Sequence, residues 1–124
     1  MSNFAQPSPQ ASDVSVRSIP LVLKTAEHLM QKGQYRMALA GLVSALQGGS
    51  LDPAVLDKAA SCYFQLGDSQ TAISLLEMLT QIRPDIVAAW GKLAAMKQTV
   101  GDKQGAIDGY RKVLKGDHNS VFGL

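Results

Sequence analysis

The chain has 124 residues, of which 46% are hydrophobic and 18% are charged, and its formal net charge is +2. This length suits one domain with a modest core, and so balanced a charge is atypical of nucleic-acid-binding domains, which carry a basic patch. The lone Cys62 cannot form an internal disulfide. No apolar run approaches the roughly 18 residues needed to cross a bilayer, so we expect no membrane insertion and a cytoplasmic location.

The first 18 residues are rich in Ser, Pro, Gln and Ala and contain little that a core could bury. Such a composition does not offset the entropy lost on ordering a chain. Residues 1–18 are therefore predicted to be a flexible leader.

From residue 19 onward the sequence repeats with a period of 34 residues. Four columns are identical in three copies: Lys24, Lys58 and Lys92; Ala26, Ala60 and Ala94; Gly33, Gly67 and Gly101; Ala38, Ala72 and Ala106. A fixed period of this length is the signature of a repeat array. The predicted copies span residues 19–52, 53–86 and 87–120, and residues 121–124 are predicted to begin a truncated fourth copy.

Each copy is predicted to contain two short amphipathic helices, the first ended by the shared glycine in a left-handed conformation. Gly48-Gly49 is expected to end the second helix of the first copy. Asp52-Pro53 then opens the next copy as N-cap and first helical residue. Asp68 and Ser69 are candidate N-caps for the returning helix of the second copy.

Apolar residues at three- and four-residue spacing are predicted to face the core. They are Val22, Ala26, Leu29, Ala38, Leu42, Ala45 and Leu46 in the first copy; Leu56, Ala59, Ala60, Tyr63, Ala72, Ile73, Leu76 and Leu79 in the second; and Trp90, Leu93, Ala94, Val100, Ala106, Ile107, Tyr110, Val113 and Leu114 in the third. Alanine opposite alanine lets the two helices of a hairpin approach closely.

This pattern resembles the tetratricopeptide repeat, whose 34-residue unit carries Trp-x2-Leu-Gly-x2-Tyr, Ala-x3-Phe and Pro positions. The matching residues are Trp90, Leu93, Ala106 and Tyr110 in the third copy and Ala60, Tyr63, Ala72 and Pro84 in the second. The first copy is the most diverged. The resemblance covers residues 19–120 and implies an all-α fold, a right-handed superhelical solenoid of three antiparallel helix pairs.

In tetratricopeptide arrays the first helices of the repeats line a concave groove that holds an extended or helical peptide. The resemblance therefore implies a partner-binding groove formed by the first helix of each copy. The candidate groove residues are Leu23, Lys24, Glu27 and Met30; Asp57, Lys58, Ser61, Phe64 and Gln65; and Gly91, Lys92, Ala95, Gln98 and Thr99.

Lys24, Lys58 and Lys92 are expected to stand in a row, which favours acidic side chains or a C-terminal carboxylate in the ligand. The competing interpretation is a solvated face, on which Lys24 pairs with Glu27 and Asp57 offsets Lys58. Both interpretations remain open at this point.

Met30 and Phe64 share another column and form a candidate apolar pocket beside the lysines, with surface packing as the alternative. One subgroup of the family, the carboxylate clamp, binds chaperone C-termini. At its clamp positions this chain has Leu23, Glu27, Lys58, Ala88 and Lys92. Only Lys92 keeps the matching charge, so chaperone C-terminus recognition is not expected.

No catalytic constellation and no metal-ligand spacing is recognisable, so we expect neither an enzyme nor a cofactor in this segment. His28 is predicted to be a surface or packing residue of the first helix, and His118 to be solvated in a connector. Cys62 is predicted to be a small packing residue rather than a nucleophile.

The sequence thus predicts a protein-interaction module, an adaptor or scaffold that binds a partner peptide or protein, and not nucleic acid. Two alternatives remain: an N-terminal accessory repeat domain excised from a larger enzyme, such as a transferase, and a secretion chaperone. Because a single unit leaves one apolar side uncovered, self-association through the C-terminal end is a further expectation.

Overall fold

A computed structural model describes residues 18–122 of the chain, with side chains described for residues 18–116. The helices are α1 (Ile19–Gln31), α2 (Tyr35–Gln47), α3 (Pro53–Gln65), α4 (Ser69–Ile82), α5 (Val87–Thr99) and α6 (Lys103–Phe122). No strand occurs in this range. Successive helices contact each other, and α1 also contacts α3. The predicted all-α, solenoid-like fold of three helix pairs is confirmed. The predicted leader, apart from Ser18, lies outside the described residues.

The turn inside each hairpin has the same construction in all three repeats. Gly33, Gly67 and Gly101 have φ angles of +76°, +92° and +90°, a left-handed conformation that costs other L-residues about 1–2 kcal/mol. The residue after each glycine donates its backbone N–H to the carbonyl five positions earlier, at 2.8 or 2.9 Å. This is the Schellman arrangement that ends a helix, so the predicted role of the three glycines is confirmed.

Three aspartates cap the helices that follow the turns and connectors. One Oδ1 oxygen each of Asp52, Asp68 and Asp102 accepts a hydrogen bond from a backbone N–H two or three residues later, at 2.9–3.1 Å. These bonds satisfy donors that a helix start leaves unpaired. Ser69, the other candidate cap, is instead the first residue of α4.

The buried side chains form two clusters along the array. The first joins α1, α2 and α3 and contains Ile19, Ala26, Ala38, Leu42, Ala45, Val55, Ala59 and Cys62. The second joins α3, α4 and α5 and contains Leu56, Ala60, Ala72, Ile73, Leu76, Leu79, Ala89, Leu93 and Met96. Because α3 contributes to both, it ties the two halves of the core together.

The repeated alanines lie at the hairpin contacts, and all six are buried. Between α5 and α6 the approach is so close that a Cβ atom added at Gly109 would lie 2.8 Å from the Cβ of Ala94. Small residues therefore set the distance between paired helices, as predicted.

The prediction fails at the C-terminal end of the core. Four side chains predicted to face inward are 39–68% exposed: Val100, Ile107, Tyr110 and Leu114. Val100 is the C-cap residue of α5. The other three lie on α6, and the equivalent side chains of α4 are at most 7% exposed because α5 packs over them. Among the described residues no helix packs over α6 in the same way.

Helix α6 is longer than predicted. It continues through Phe122, so the placement of His118 in a connector is wrong, and Val121 lies in the same helix as Ser120. The earlier connectors contain Gly48-Gly49 or Pro84, which stop α2 and α4. Gly116 shares the column of Gly48 but lies inside α6. Asp117 takes the place of Gly49, whose φ is +95°, and residues 117–122 contain neither glycine nor proline, so the helix runs on.

Ala72→Leu tests the close hairpin contact. Ala72 is fully buried, so a leucine there overpacks the contact between α3 and α4 and should lower the free energy of unfolding by about 1–3 kcal/mol. Urea denaturation measures the change. Ser74→Leu, at an exposed position of the same helix, is the control and should have little effect. Equal stability of the two variants would contradict the hairpin packing.

Gly67→Ala tests the turn geometry. With φ at +92°, alanine is strained there and should destabilise the chain by about 1–2 kcal/mol. Gly48, with φ of −78°, provides the control, because Gly48→Ala places alanine in an allowed conformation. Thermal melts of both variants are compared. If backbone strain is the cause, only Gly67→Ala should melt early. If any substitution at a helix end destabilises the chain, both variants would melt early.

Candidate functional site

Lys24, Lys58 and Lys92 lie at one position of α1, α3 and α5, and we name the surface of these helices that carries them the lysine face. Two of the lysines bridge neighbouring repeats. Lys58 Nζ lies 3.2 Å from Glu27 Oε2 on α1. Lys92 Nζ lies 2.8 Å from Asp57 Oδ1 on α3. The lysine face is therefore cross-linked by ion pairs.

The bridges follow the repeat. Lys58 donates to Glu27, which lies 31 residues earlier, and Lys92 donates to Ser61 Oγ, also 31 residues earlier, at 2.6 Å. Glu27 and Ser61 occupy the same column. At both interfaces between repeats, the residue in this column therefore lies beside the lysine of the next repeat. It accepts the hydrogen bond through a carboxylate oxygen in Glu27 and a hydroxyl oxygen in Ser61.

The local pairing of the solvated-face interpretation does not occur. That interpretation paired Lys24 with Glu27 and offset Lys58 with Asp57, but each acid binds the lysine of the following repeat. Lys24 is exposed and has no hydrogen bond or ion pair with another described residue. Three lysines and two acids leave one net positive charge on the lysine face, and its unpaired ammonium lies on α1.

A cleft of about 220 Å³ opens on the lysine face between α3 and α5. Its lining residues are Ser61, Phe64, Gln65, Lys92, Ala95, Met96 and Thr99. All but Met96 are among the candidate groove residues predicted from the sequence. Met96 shares its column with Cys62, which packs toward the preceding hairpin, so its position in the repeat indicates a core residue. Its long flexible side chain belongs to the second core cluster and also lines the cleft.

Met30 and Phe64 pack against different core clusters. Met30 packs against the first core cluster together with Leu23, whereas Phe64 packs against the second. Only Phe64 lines the cleft between α3 and α5.

Two candidates of the third repeat turn toward α6 instead of the cleft. A Cβ atom added at Gly91 would lie 3.5 Å from Val113 Cγ2. The side-chain oxygen of Gln98 accepts a hydrogen bond from the Tyr110 hydroxyl at 3.0 Å. Thr99 does line the cleft, and its hydroxyl donates to the Ala95 carbonyl at 2.9 Å.

Cys62 lies beneath the lysine face and is buried. Burial raises the pKa of its thiol, and the positive charges of Lys58 and Lys92 oppose that effect only partly. The thiol is therefore protonated at neutral pH and acts as a small packing group. Within residues 18–116 no group of three or more His, Cys, Asp or Glu side chains is placed to hold a metal ion.

Comparison with known proteins identifies the fold. No protein-family model matches the chain. The TPR domain of Sgt2 from Aspergillus fumigatus matches with a TM-score of 0.74 at 23% identity, over 81% of this chain and 66% of that one. The second TPR of Spaghetti (RPAP3) matches with a TM-score of 0.75 at 12% identity, over 91% and 97%. This chain has the fold of tetratricopeptide repeat domains.

Two further likenesses agree with the tetratricopeptide fold. The MamA protein matches with a TM-score of 0.73 at 20% identity, over 79% of this chain and 54% of that one. Human Superkiller complex protein 3 is 24% identical over 102 residues, which are 82% of this chain. The chain spans 6% of the length of that curated relative. In the described part of the chain, no helix is long and apolar enough to cross a membrane.

A double-mutant cycle tests the bridge between α3 and α5. Lys92→Met and Asp57→Asn remove the two charges while keeping the side-chain shapes. We expect a coupling of about 0.2–1 kcal/mol, typical of partly exposed pairs, that weakens as salt screens it. Urea denaturation at low and high salt measures it. Lys24→Met combined with Asp57→Asn is the matched control and should be additive.

Proposed function

We propose that the chain is a protein-interaction module whose lysine face binds a segment of a partner protein. The cleft between α3 and α5 carries this proposal. Its lining combines the apolar side chains of Phe64, Ala95 and Met96 with the polar groups of Ser61, Gln65, Lys92 and Thr99. Apolar surface with a few placed polar groups is typical of ligand sites.

The size of the cleft indicates what kind of ligand it can hold. Small-molecule pockets enclose about 300–1,000 Å³, more than the roughly 220 Å³ found between α3 and α5. One apolar side chain of a peptide fits this volume better than a complete small ligand. We therefore propose that the partner segment anchors one large apolar residue between Phe64 and Met96.

We further propose that the partner segment is acidic. A carboxylate near Lys24 meets an ammonium without a described partner, while at Lys58 and Lys92 it competes with Glu27 and Asp57. Both TPR domains of RPAP3 are bound to the HSP90 peptide SRMEEVD in their structures, and that peptide is acidic. Because this chain keeps only Lys92 at the clamp positions, the proposed ligand is an acidic segment other than a chaperone C-terminus.

The proposed role in the cell is that of an adaptor, since binding a segment requires no chemistry beyond recognition. A cytoplasmic location stays a prediction, which fractionation of cells producing the tagged chain would check.

A peptide titration tests the proposed function. The probes are two synthetic peptides of equal length with one leucine, one flanked by Glu and Asp and the other by Lys. Amide resonances of the ¹⁵N-labelled chain report binding by residue. We expect the acidic peptide to shift resonances around Phe64 and Ala95, and the basic peptide to shift few. Replacing Lys24, Lys58 and Lys92 together by Glu should abolish the shifts.

The matched control is replacement of Lys32, Lys103 and Lys115 by Glu, which changes the net charge equally at exposed positions away from the cleft. It should keep the acidic-peptide response, and circular dichroism should show unchanged helicity in both triple variants. Absence of shifts with either peptide would refute the groove. Equal loss in both triple variants would mean that only overall charge matters.

A second candidate function is favoured by one comparison. The chain matches 6% of the length of Superkiller complex protein 3, so we also consider an accessory repeat segment of a larger protein. The reading frame of the gene beyond Leu124 decides between the two.

A further inference from the structure

A second pocket, of about 320 Å³, lies where the start of α5 meets the later part of α6. None of its lining residues lines the cleft of the lysine face. Its apolar wall includes Pro84, Val87 and Trp90, and its charged groups include Lys112 and Lys115. The volume lies at the lower end of the range for small-molecule sites, about 300–1,000 Å³. The pocket is therefore large enough to hold a small organic group.

The apolar wall of this pocket is fixed by contacts within the chain. The indole N–H of Trp90 donates a hydrogen bond to the Pro84 carbonyl at 3.0 Å, and the Trp90 side chain packs against the second core cluster. A Cβ atom added at Gly116 would lie 2.6 Å from Val87 Cγ2, so α6 approaches the start of α5 closely. The wall therefore exists before any ligand arrives.

Two lysines of α6 give the pocket its charge. Lys112 Nζ lies 5.3 Å from the centre of the Trp90 ring, which is a cation–π contact. Lys115 follows one helical turn later and lines the same pocket. Neither ammonium forms an ion pair with a side chain that the structure describes. The acid of the pocket, Asp85, accepts two hydrogen bonds from Arg83, at 2.8 and 2.9 Å.

The two lysines are not part of the repeat pattern. The same positions of the first two repeats hold uncharged residues, Ser44 and Gln47 on α2 and Met78 and Gln81 on α4. The pairing of two ammonium groups with a tryptophan therefore belongs to the third repeat alone.

The pocket does not depend on where the array ends. Met78 and Ile82 on α4 occupy the positions of Lys112 and Gly116, and they are 41% and 40% exposed although α5 packs over α4. These positions thus stay accessible when another helix follows. Trp90 is held toward the connector before α5, so the pocket opens beside that connector.

We propose that this pocket binds a phosphate monoester that carries an apolar substituent. The phosphate group brings about −1.5 to −2 charges at pH 7, which complements the two ammonium groups of Lys112 and Lys115. The substituent lies against the apolar wall beside Trp90. A carboxylate brings one charge and leaves one of the lysines without a counterion.

The lone tryptophan of the chain makes the proposal directly measurable. Because Trp90 is the only tryptophan, the intrinsic fluorescence of the 124-residue chain reports on the pocket. The probes are phenyl phosphate, benzoate and inorganic phosphate, titrated at constant ionic strength. We expect a saturable change with phenyl phosphate. Benzoate, which lacks one charge, should bind about two- to fivefold more weakly, the range of one exposed ion pair. Inorganic phosphate, which lacks the apolar group, should also bind more weakly.

Variants of the chain assign the binding to the two lysines. Lys112→Met and Lys115→Met should each weaken phenyl phosphate binding about two- to fivefold and remove its advantage over benzoate. Lys103→Met, at an exposed position near the start of α6, is the matched control and should change neither affinity. Amide resonances of Val87 and Gly116 in the ¹⁵N-labelled chain provide a second measurement, because loss of Lys112 also changes the fluorescence of the free chain.

A peptide arm of the experiment identifies the source of the phosphate ester. A short peptide with phosphotyrosine that binds more tightly than phenyl phosphate indicates a phosphorylated segment of a partner protein. A peptide that binds no better than phenyl phosphate indicates a free phosphate ester. The same peptide with unmodified tyrosine should not bind the pocket.

Three outcomes would overturn the proposal. One is that phenyl phosphate causes no saturable change in either measurement. Another is that benzoate or the unmodified peptide binds as tightly as its phosphorylated counterpart, and the third is that neither lysine variant changes the affinity. Replacing Lys24, Lys58 and Lys92 by Glu should leave phenyl phosphate binding intact at physiological salt, so this pocket and the lysine face fail independently.

Discussion

The close approach of paired helices at small side chains is the contact on which the array depends. Ala60 and Ala72 are fully buried in the central hairpin, and Ala94 meets Gly109 in the last one. Because the same columns recur every 34 residues, small residues lie at the contact inside every hairpin. This repetition aligns α1, α3 and α5, and the lysine face follows from that alignment.

The ion pairs of the lysine face show why local sequence rules failed there. On an isolated helix, Lys24 and Glu27 are neighbours at i, i+3. In the array Glu27 lies beside Lys58 of the first helix of the next repeat instead. This contact exists only because the repeats stack. The row of lysines was predictable from the period. The lysine with which each acid pairs was not, because that depends on the lateral offset between adjacent first helices.

Local sequence signals predicted the helix ends and turns of the fold well. Gly67 ends α3 and Asp68 caps α4, both through bonds within a few residues. The period also predicted which residues face a neighbouring repeat, but it carries no information on whether a neighbour is present. Ile107 and Tyr110 have the pattern of core residues and are nevertheless exposed. Met96 was missed as a cleft residue because one long side chain serves both the core and the surface.

The site proposed on the lysine face would select its partner by shape before charge. Lys58 and Lys92 are already paired with Glu27 and Asp57, so an acidic segment would gain Coulomb energy chiefly at Lys24, whose ammonium has no partner among the described residues. The apolar cleft beside Phe64 would then supply most of the affinity. Charge would discriminate between otherwise similar segments, because the wrong sign places two like charges together.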